Sequence, residues 1–519
     1  MRNSIFLLFV GIILSLTSCR KDFDTVPSTG TLEFSKETVY LDTVFTGISS
    51  STYMLKVYNR SKDDIVIPTI RLARENTKYR IMVDGMTGDG GKGTTFSNVE
   101  LLAKDSLFVF IETTPDIIDT GDFADFLYTD VIEFHSSGHT QSVNLVTLVQ
   151  DAVFLYPTKE NGIKERLLLG LDGEGNNVTV EGFELNEADP VNGNELHWTK
   201  EKPYVVYGFA GVPDGKNLVI DAGARIHFHT TTDTATSGIV VLPNGQININ
   251  GEASPNPENP QENEVIFEGD RLEPMYADIP GQWGAIWLLG TTRNNTIKHT
   301  TIKNATIGLL SESSTLTIDN SQIYDNSLIG LQATASTVTG TNLVINTSGQ
   351  ANLACNFGGS YSFKYCTFNN NWASSNQVSV ILNNYTSNPD GSIADTNPLV
   401  KADFFNCIIY GSNRIQLFLD KADASAFNYN FDHCLIKFND SGTSLANDAK
   451  YDFIRQQQNG NIKNEDPEFT NIARNKLTLL EGSAAIGKAV YDPLVPKDIL
   501  GNDRPVSGPD VGAYQYISN

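Results

Sequence analysis

Cysteine, basic residues and long apolar runs are all scarce in this chain, and each scarcity closes a class of explanation. Five cysteines in 519 residues, none in a Cys-x-x-Cys pair, exclude a disulfide-stapled scaffold and a cysteine-based zinc knuckle. Lys and Arg total 37 against 61 Asp and Glu, a net charge of −24. So acidic a chain repels phosphate backbones and offers no polybasic grip on anionic lipid, and nucleic acid is not an expected partner. Beyond the N-terminus no apolar run approaches the ~18 residues of a membrane-spanning helix. Hydrophobic residues at 40% and charged residues at 19% exclude global disorder. What is present instead is glycine (42 residues) with much Asn, Thr and Ser, the composition of short strands and tight turns.

The first residues set an address. A short basic start, Met1-Arg2-Asn3, precedes an apolar run from Ser4 to Leu16. Such a run reaches roughly 20 Å as a helix, against a hydrocarbon core of roughly 30 Å, so it reads as a signal-peptide core and not a span. It ends in Leu16-Thr17-Ser18-Cys19, which resembles the bacterial lipobox. That resemblance implies removal of residues 1–18, lipid attachment at Cys19, and a membrane partnership made through the lipid alone. Arg20-Lys21-Asp22-Phe23-Asp24 resembles the charged tag that sends lipoproteins of Bacteroidota to the outer face of the outer membrane. Residues 19–30 then read as a tether.

From residue 31 to about 152 short alternating runs recur: Val39–Leu41, Tyr53–Tyr58, Ile65–Ile67, Tyr79–Val83, Leu107–Ile111, Val131–Phe134 and Val143–Val149. Turn residues such as Asp89-Gly90-Gly91 separate them, and the pattern predicts an immunoglobulin-like sandwich. Asp42-Thr43-Val44-Phe45-Thr46, Val57-Tyr58-Asn59 and Gln150-Asp151-Ala152 resemble the N-terminal module of many Bacteroidota surface lipoproteins, which implies a spacer or docking role.

Residues 153–519 read differently. An apolar residue, two others, a small residue, one other and a second apolar residue recur at Ile297–Ile302, Ile318–Ile323, Val338–Leu343, Phe363–Phe368, Phe404–Ile409 and Phe431–Ile436. Such repeats, rich in Val, Ile, Thr and Asn, predict a parallel β-helix in which like positions stack. Thr300, Ser321, Thr341, Cys366, Cys407 and Cys434 are then expected as one interior row, with the Cys acting as small buried hydrophobes and not as reactive thiols. Pro280-Gly281-Gln282-Trp283-Gly284-Ala285-Ile286 resembles the stretch where right-handed β-helices of the pectate-lyase-like class begin their regular coils. Asp466–Phe469, Gly482–Gly487, Gly501–Pro505 and Pro509–Tyr516 resemble the C-terminal signature of bacterial surface β-helix proteins, expected here to cover the open end of the stack. The fold expected is therefore all-β, a sandwich followed by a capped right-handed parallel β-helix.

Chemistry is less legible. The pectate-lyase-like fold hosts lyases, hydrolases and adhesins, so fold does not choose among them. Cleaving a glycosidic bond takes two opposed carboxylates, and the Asn-Thr-Asp, Asp-Asp and Gly-His-Gly groups of β-helix galacturonases are missing from the coils. Asp432-His433 and Asn413-Arg414 read as structural, and His227 with His229 lacks a third ligand, so neither metal nor cofactor is expected. Trp198, Trp287 and Trp372 are the candidate sugar-stacking residues. The expectation is a surface-exposed outer-membrane lipoprotein that binds glycans without catalysis or serves a surface uptake complex. A polysaccharide lyase or hydrolase and an adhesin are the alternatives. Any glycan groove is expected on a lateral face of the β-helix, walled by the loops Asn383 to Pro398 and Ser254 to Asn263.

Overall fold

A computed structural model describes residues 24–116, 126–229, 237–256, 258–290 and 293–518. The expected signal peptide, Cys19 and the start of the expected charged tag lie outside the described residues. The chain divides into two compact units, Met1–Asp151 and Ala152–Asn519.

The first unit is a sandwich of a six-stranded and a four-stranded sheet. Each expected run lies within a strand, and the Val26–Pro27, Glu33–Phe34 and Thr95–Leu101 strands are additional. Its burial follows period two, as in Tyr79–Val83, where residues 79, 81 and 83 are buried and 80 and 82 exposed. Val39, Leu55, Ile67, Val109 and Phe134 from both sheets make the core. Asn59, buried in the turn after Tyr53–Tyr58, donates to the carbonyls of Asp63, Leu101 and Leu102, which explains an Asn at that place in the motif.

The second unit is a right-handed parallel β-helix whose strands form three ladders, here A, B and C. Ladder C is an eleven-stranded sheet running from Val153–Leu155 to Ile462–Lys463. Ladders A and B share the seventeen-stranded sheet, because the long strands Ile329–Thr341 and Ala351–Lys364 pass from one ladder to the other. Nine coils can be followed among the described residues. They begin with residues 182–206, earlier than the Pro280–Ile286 stretch, which sits within the stack. Trp283 of that stretch is buried, stacks on Phe228 at 4.2 Å and donates its indole N–H to the Lys303 carbonyl at 2.8 Å.

One interior row of ladder B shows how the sequence specifies the stack. Trp198, Ile220, Ile249, Ile297, Ile318, Gly340, Phe363, Phe404 and Phe431 lie one above another. The last rings stack at 5.2 and 4.7 Å, and Phe453 continues the pile at 5.0 Å from Phe431.

Between ladders B and C the chain turns sharply at a residue with positive φ: His299, Asn320, Asn342, Tyr365, Asn406 and His433 in successive coils. The residue after each is the interior row that the repeat predicts. Its members are Thr300, Ser321, Leu343, Cys366, Cys407 and Cys434, so Leu343 and not Thr341 occupies the third rung. Thr341 instead pairs with Asp319 and Lys364 on ladder B. Leu343 packs beside Gly340, where an added Cβ would lie at ordinary contact distance from Leu343, 3.6 Å, but 2.7 Å from Phe363 in the next coil. The hydroxyls and thiols of this row donate back to the carbonyl two residues earlier, Thr300 to Lys298 at 2.8 Å and Cys407 to Phe405 at 3.4 Å. All four described Cys are free and buried.

The C-terminal blocks do not cover the open end. Phe469, Leu477, Leu479, Ala485, Val511 and Ala513 pack against Val344, Tyr365, Ile408 and Leu435, forming a strap along the outer side of ladder C. The Tyr365 hydroxyl donates to the Val490 carbonyl at 2.6 Å, and the Arg504 guanidinium lies 3.9 Å over the Tyr365 ring and donates to Asn342 Oδ1 at 2.9 Å. The end itself is closed by residues 438–461, where Tyr451 and Ile454 join the core and Tyr451 stacks on Phe438 at 4.5 Å.

Candidate functional site

The outward side of ladder A is the lateral face with the most varied chemistry. Alternation on its strands points Val240, Trp287, Leu310, Gln332, Ala354, Ile381 and Phe418 outward in one row. Leu289, Glu312, Thr334, Asn356, Asn383 and Asp420 form the next. A hairpin of Arg166–Leu171 and Asn177–Glu184 covers the early coils, packing Leu167, Leu169 and Val180 against Phe209, Val240 and Trp287. Trp287 is half-buried in consequence. Burial pushes the Glu312 carboxyl up, and the adjacent Trp287 indole N–H, short of full hydrogen-bond geometry, partly offsets this.

From Gln332 onward the second row is polar and half-buried, Thr334, Asn356 and Asn383, beside a first row of buried Ala354, half-buried Ile381 and exposed Phe418. The segment Asn383 to Pro398 rises from the A–B corner as a hairpin of Tyr385–Ser387 and Ile393–Thr396. Asn383 Oδ1 pins it, accepting from the Phe357 and Tyr385 amides at 3.3 and 2.9 Å. The Tyr385 hydroxyl donates to Asp420 at 2.7 Å, and that bond holds the phenol above its ordinary range. Glu312 and Asp420 are the ionisable groups of the two rows. They stand four coils apart, roughly 19 Å at the spacing of paired strands. Opposed carboxylates that cleave a glycosidic bond stand about 5–9.5 Å apart, so these two do not form such a pair.

The three candidate tryptophans are not brought together. Trp198 is fully buried as the first rung of the ladder B row, stacked on Tyr204 at 5.0 Å and donating to the Glu195 carbonyl at 2.7 Å. No sugar reaches its ring. Trp372 is half-buried in the bend leading from ladder C to ladder A, and Trp287 alone lies on the face just described. The expected walls also separate: Ser254 to Asn263 leaves the B–C corner, far round the coil from the Tyr385–Thr396 hairpin.

His227 and His229 share an outward face of ladder C but partner different carboxylates. His227 is buried, not on a solvated face, with Nδ1 3.3 Å from the Gly269 carbonyl and 3.7 Å from Glu268, and burial holds its pKa down. His229 Nδ1 meets Asp270 at 2.6 Å beneath the Tyr207 ring. Among the described residues no group of three or more His, Cys, Asp or Glu is placed to hold a metal. Asp432 and His433 pair with each other at 2.5 Å, while Asn413 pins a turn through the Ser374 and Gln377 carbonyls.

Sequence reasoning missed a cleft of about 390 Å³ between the B–C corner and the strap, lined by Glu252, Glu264, His299, Gln322, Lys476 and Tyr514. Burial pushes the Glu264 carboxyl up while the Thr301 hydroxyl donates to it at 2.6 Å. Its lining spans residues 252 to 514, so no local motif announces it.

No protein-family model matches the chain, and no curated protein gives a significant match. Among solved structures, PapD-like domain 7 of human CEP192 is 19% identical over 26% of this chain and 96% of that one, with a TM-score of 0.16. The catalytic domain of a GH87 α-1,3-glucanase variant in complex with nigerose is 11% identical over 75% of this chain and 82% of that one, with a TM-score of 0.19. A family 123 glycoside hydrolase from Clostridium perfringens is 10% identical over 22% of this chain and 23% of its own, with a TM-score of 0.16. Likenesses this remote carry no argument about activity.

Proposed function

We propose that this chain is an outer-membrane, surface-exposed lipoprotein of a Bacteroidota-type bacterium, anchored through Cys19, that binds glycans without cleaving them. Ladder A supplies the binding face. The observation that carries this reading is the run of half-buried Gln332, Thr334, Asn356 and Asn383 between Trp287 and Phe418, at whose ends the two carboxylates stand too far apart for paired acid–base chemistry. Amides and hydroxyls supply the hydrogen bonds a neutral sugar needs, and half-exposed rings supply stacking surface. The acidic chain disfavours polyuronates.

The test is affinity electrophoresis of the full chain through gels containing single polysaccharides, together with an assay for released reducing ends or unsaturated products. Retardation weakened by Trp287→Ala and Gln332→Ala, with no product formed, is expected. Product that disappears in Glu264→Gln would place the protein among the hydrolases instead. For the anchor, Cys19→Ser should release the protein from the outer-membrane fraction; unchanged retention would refute lipidation there.

A further inference from the structure

The outward face of ladder B combines one row that carries charge, Asp221, Asn250, Lys298, Asp319, Thr341 and Lys364, with two that carry none. Two of its rows, read through six successive coils, are Asn217, Gln246, Asn294, Thr315, Thr337, Ser360 and Val219, Asn248, Thr296, Thr317, Thr339, Ser362. None of the twelve is charged, in a chain with 98 Asp, Glu, Lys and Arg (37 and 61). The first members satisfy one another: Thr296 donates to Asn248 at 2.8 Å and Asn248 to Asn217 at 3.1 Å. Among the described residues Thr315, Thr337, Thr339, Ser360 and Ser362 make no side-chain hydrogen bond, and Thr337 and Thr339 are exposed. Their hydroxyls repeat at roughly 4.8 Å along the axis and roughly 6.6 Å between rows.

The same face runs into a recess of about 400 Å³ lined by Ser362, Lys401, Asp403, Phe405, Asn430 and Tyr491. Phe405 and Tyr491 are half-buried rings with apolar surface toward it. Its charges are already matched: Lys364 meets Asp492 at 2.6 Å and Lys401 meets Asp403 at 3.2 Å. Such pairs offer donors and acceptors to hydroxyl groups with no net charge to attract an ion.

Building on the glycan-binding reading above, we propose that this recess and the hydroxyl rows leading to it form a second glycan site, separate from ladder A, for a neutral polysaccharide in extended form. A sugar ring stacks against Phe405 and Tyr491 while its hydroxyls bond to Asp403, Lys401 and Asn430. The following sugars lie along the rows, since an equatorially linked pyranose chain advances per residue by a distance close to the coil rise. Within the recess, among the described residues, an anionic chain finds no unpaired cation.

The full chain in detergent is run in affinity gels containing hydroxyethylcellulose or polygalacturonate, as wild type, Thr339→Lys, Tyr491→Ala and Trp287→Ala. Thr339 is exposed, so Thr339→Lys leaves folding intact even if Tyr491→Ala loosens the strap, and unchanged melting confirms this. Binding to hydroxyethylcellulose is expected to weaken about tenfold in both ladder B variants, as for loss of a central contact. Full retention by both ladder B variants overturns the second site, and if Trp287→Ala alone abolishes binding the ladder A reading survives. Tighter binding of polygalacturonate than of hydroxyethylcellulose overturns the neutral-ligand assignment. A wild-type chain that binds no polysaccharide overturns both readings.

Discussion

Replacing Tyr451 by Phe removes one oxygen from the closed end of the β-helix, and the structure fixes what that oxygen does. The Leu419 amide, in the last strand of ladder A, has no further coil to bond to and donates to the Tyr451 hydroxyl at 2.8 Å. Tyr451 is fully buried, and its ring stacks on Phe438 at 4.5 Å. Phenylalanine keeps the stack and leaves the Leu419 N–H without a partner, which costs about 1–3 kcal/mol. Burial also pushes the Tyr451 phenol up to about 12. A folded-state pKa raised above the unfolded value of about 10 gives stability that is complete below pH 10 and lost as pH rises toward 12. Two pH units correspond to about 3 kcal/mol as an upper bound, and Tyr451→Phe removes that part of the alkaline decline. Urea unfolding at pH 7 and pH 11, with hydrogen exchange of the Leu419 amide, measures both effects. Wild-type protection at Leu419 in Tyr451→Phe, or an unchanged alkaline slope, would refute the reasoning.

Three further outcomes follow from interior chemistry. Burial raises the Asp325 carboxyl to about 6 although Asn475 donates to it, so its contribution is complete below pH 4 and lost as pH rises through 6. Asp325→Asn, at a positive-φ position that Asn tolerates, should raise the melting temperature at pH 7 but not at pH 4, by up to about 3 kcal/mol in stability; an equal effect at both pH values would sink the assignment. Gly340→Ala should cost about 1–3 kcal/mol by driving a methyl into Phe363, and Phe363→Leu should recover part of it in urea titrations; additive losses would mean the two do not compete for one space. Thiol titration of denatured, unreduced protein should find Cys355, Cys366, Cys407 and Cys434 all free, whereas two or fewer would contradict their placement as packed rungs.

How far the sequence could be read depended on whether the determining contacts were local. The row through Cys366, Cys407 and Cys434 was legible because the turn repeats: a positive-φ residue, then a small one. It slipped by two residues at the third rung, where Leu343 takes the interior place and the small residue ceases to mark the corner. The early coils escaped notice because residues 186–196 and 251–264 interrupt their spacing. The C-terminal signature was visible but its place was not, since what fixes it is a set of side-chain bonds to residues more than a hundred positions earlier, such as Tyr365 to Val490 and Asn342 to Arg504. That the repeat presents lateral faces was legible, and Trp287 stands on one of them. The spacing of Glu312 from Asp420 and the recess at Phe405 were not legible, because both depend on how many residues each coil spends in its loops.

The strap along ladder C bears on how such a molecule is made. A stack of coils is nearly one-dimensional, so each new coil is held chiefly by the one before it, and the chain can add coils in order from the N-terminal end. Residues 465–516 reach the far side only after every coil has been delivered. On arrival they bind Asn342, Tyr365, Thr367 and Asn406, which belong to three successive turns of the stack. These turns therefore stay free to unravel and restack until the last segment locks them. Rescue of misregistered intermediates ends at that moment, and from then on local fraying in this part of the stack becomes a collective event.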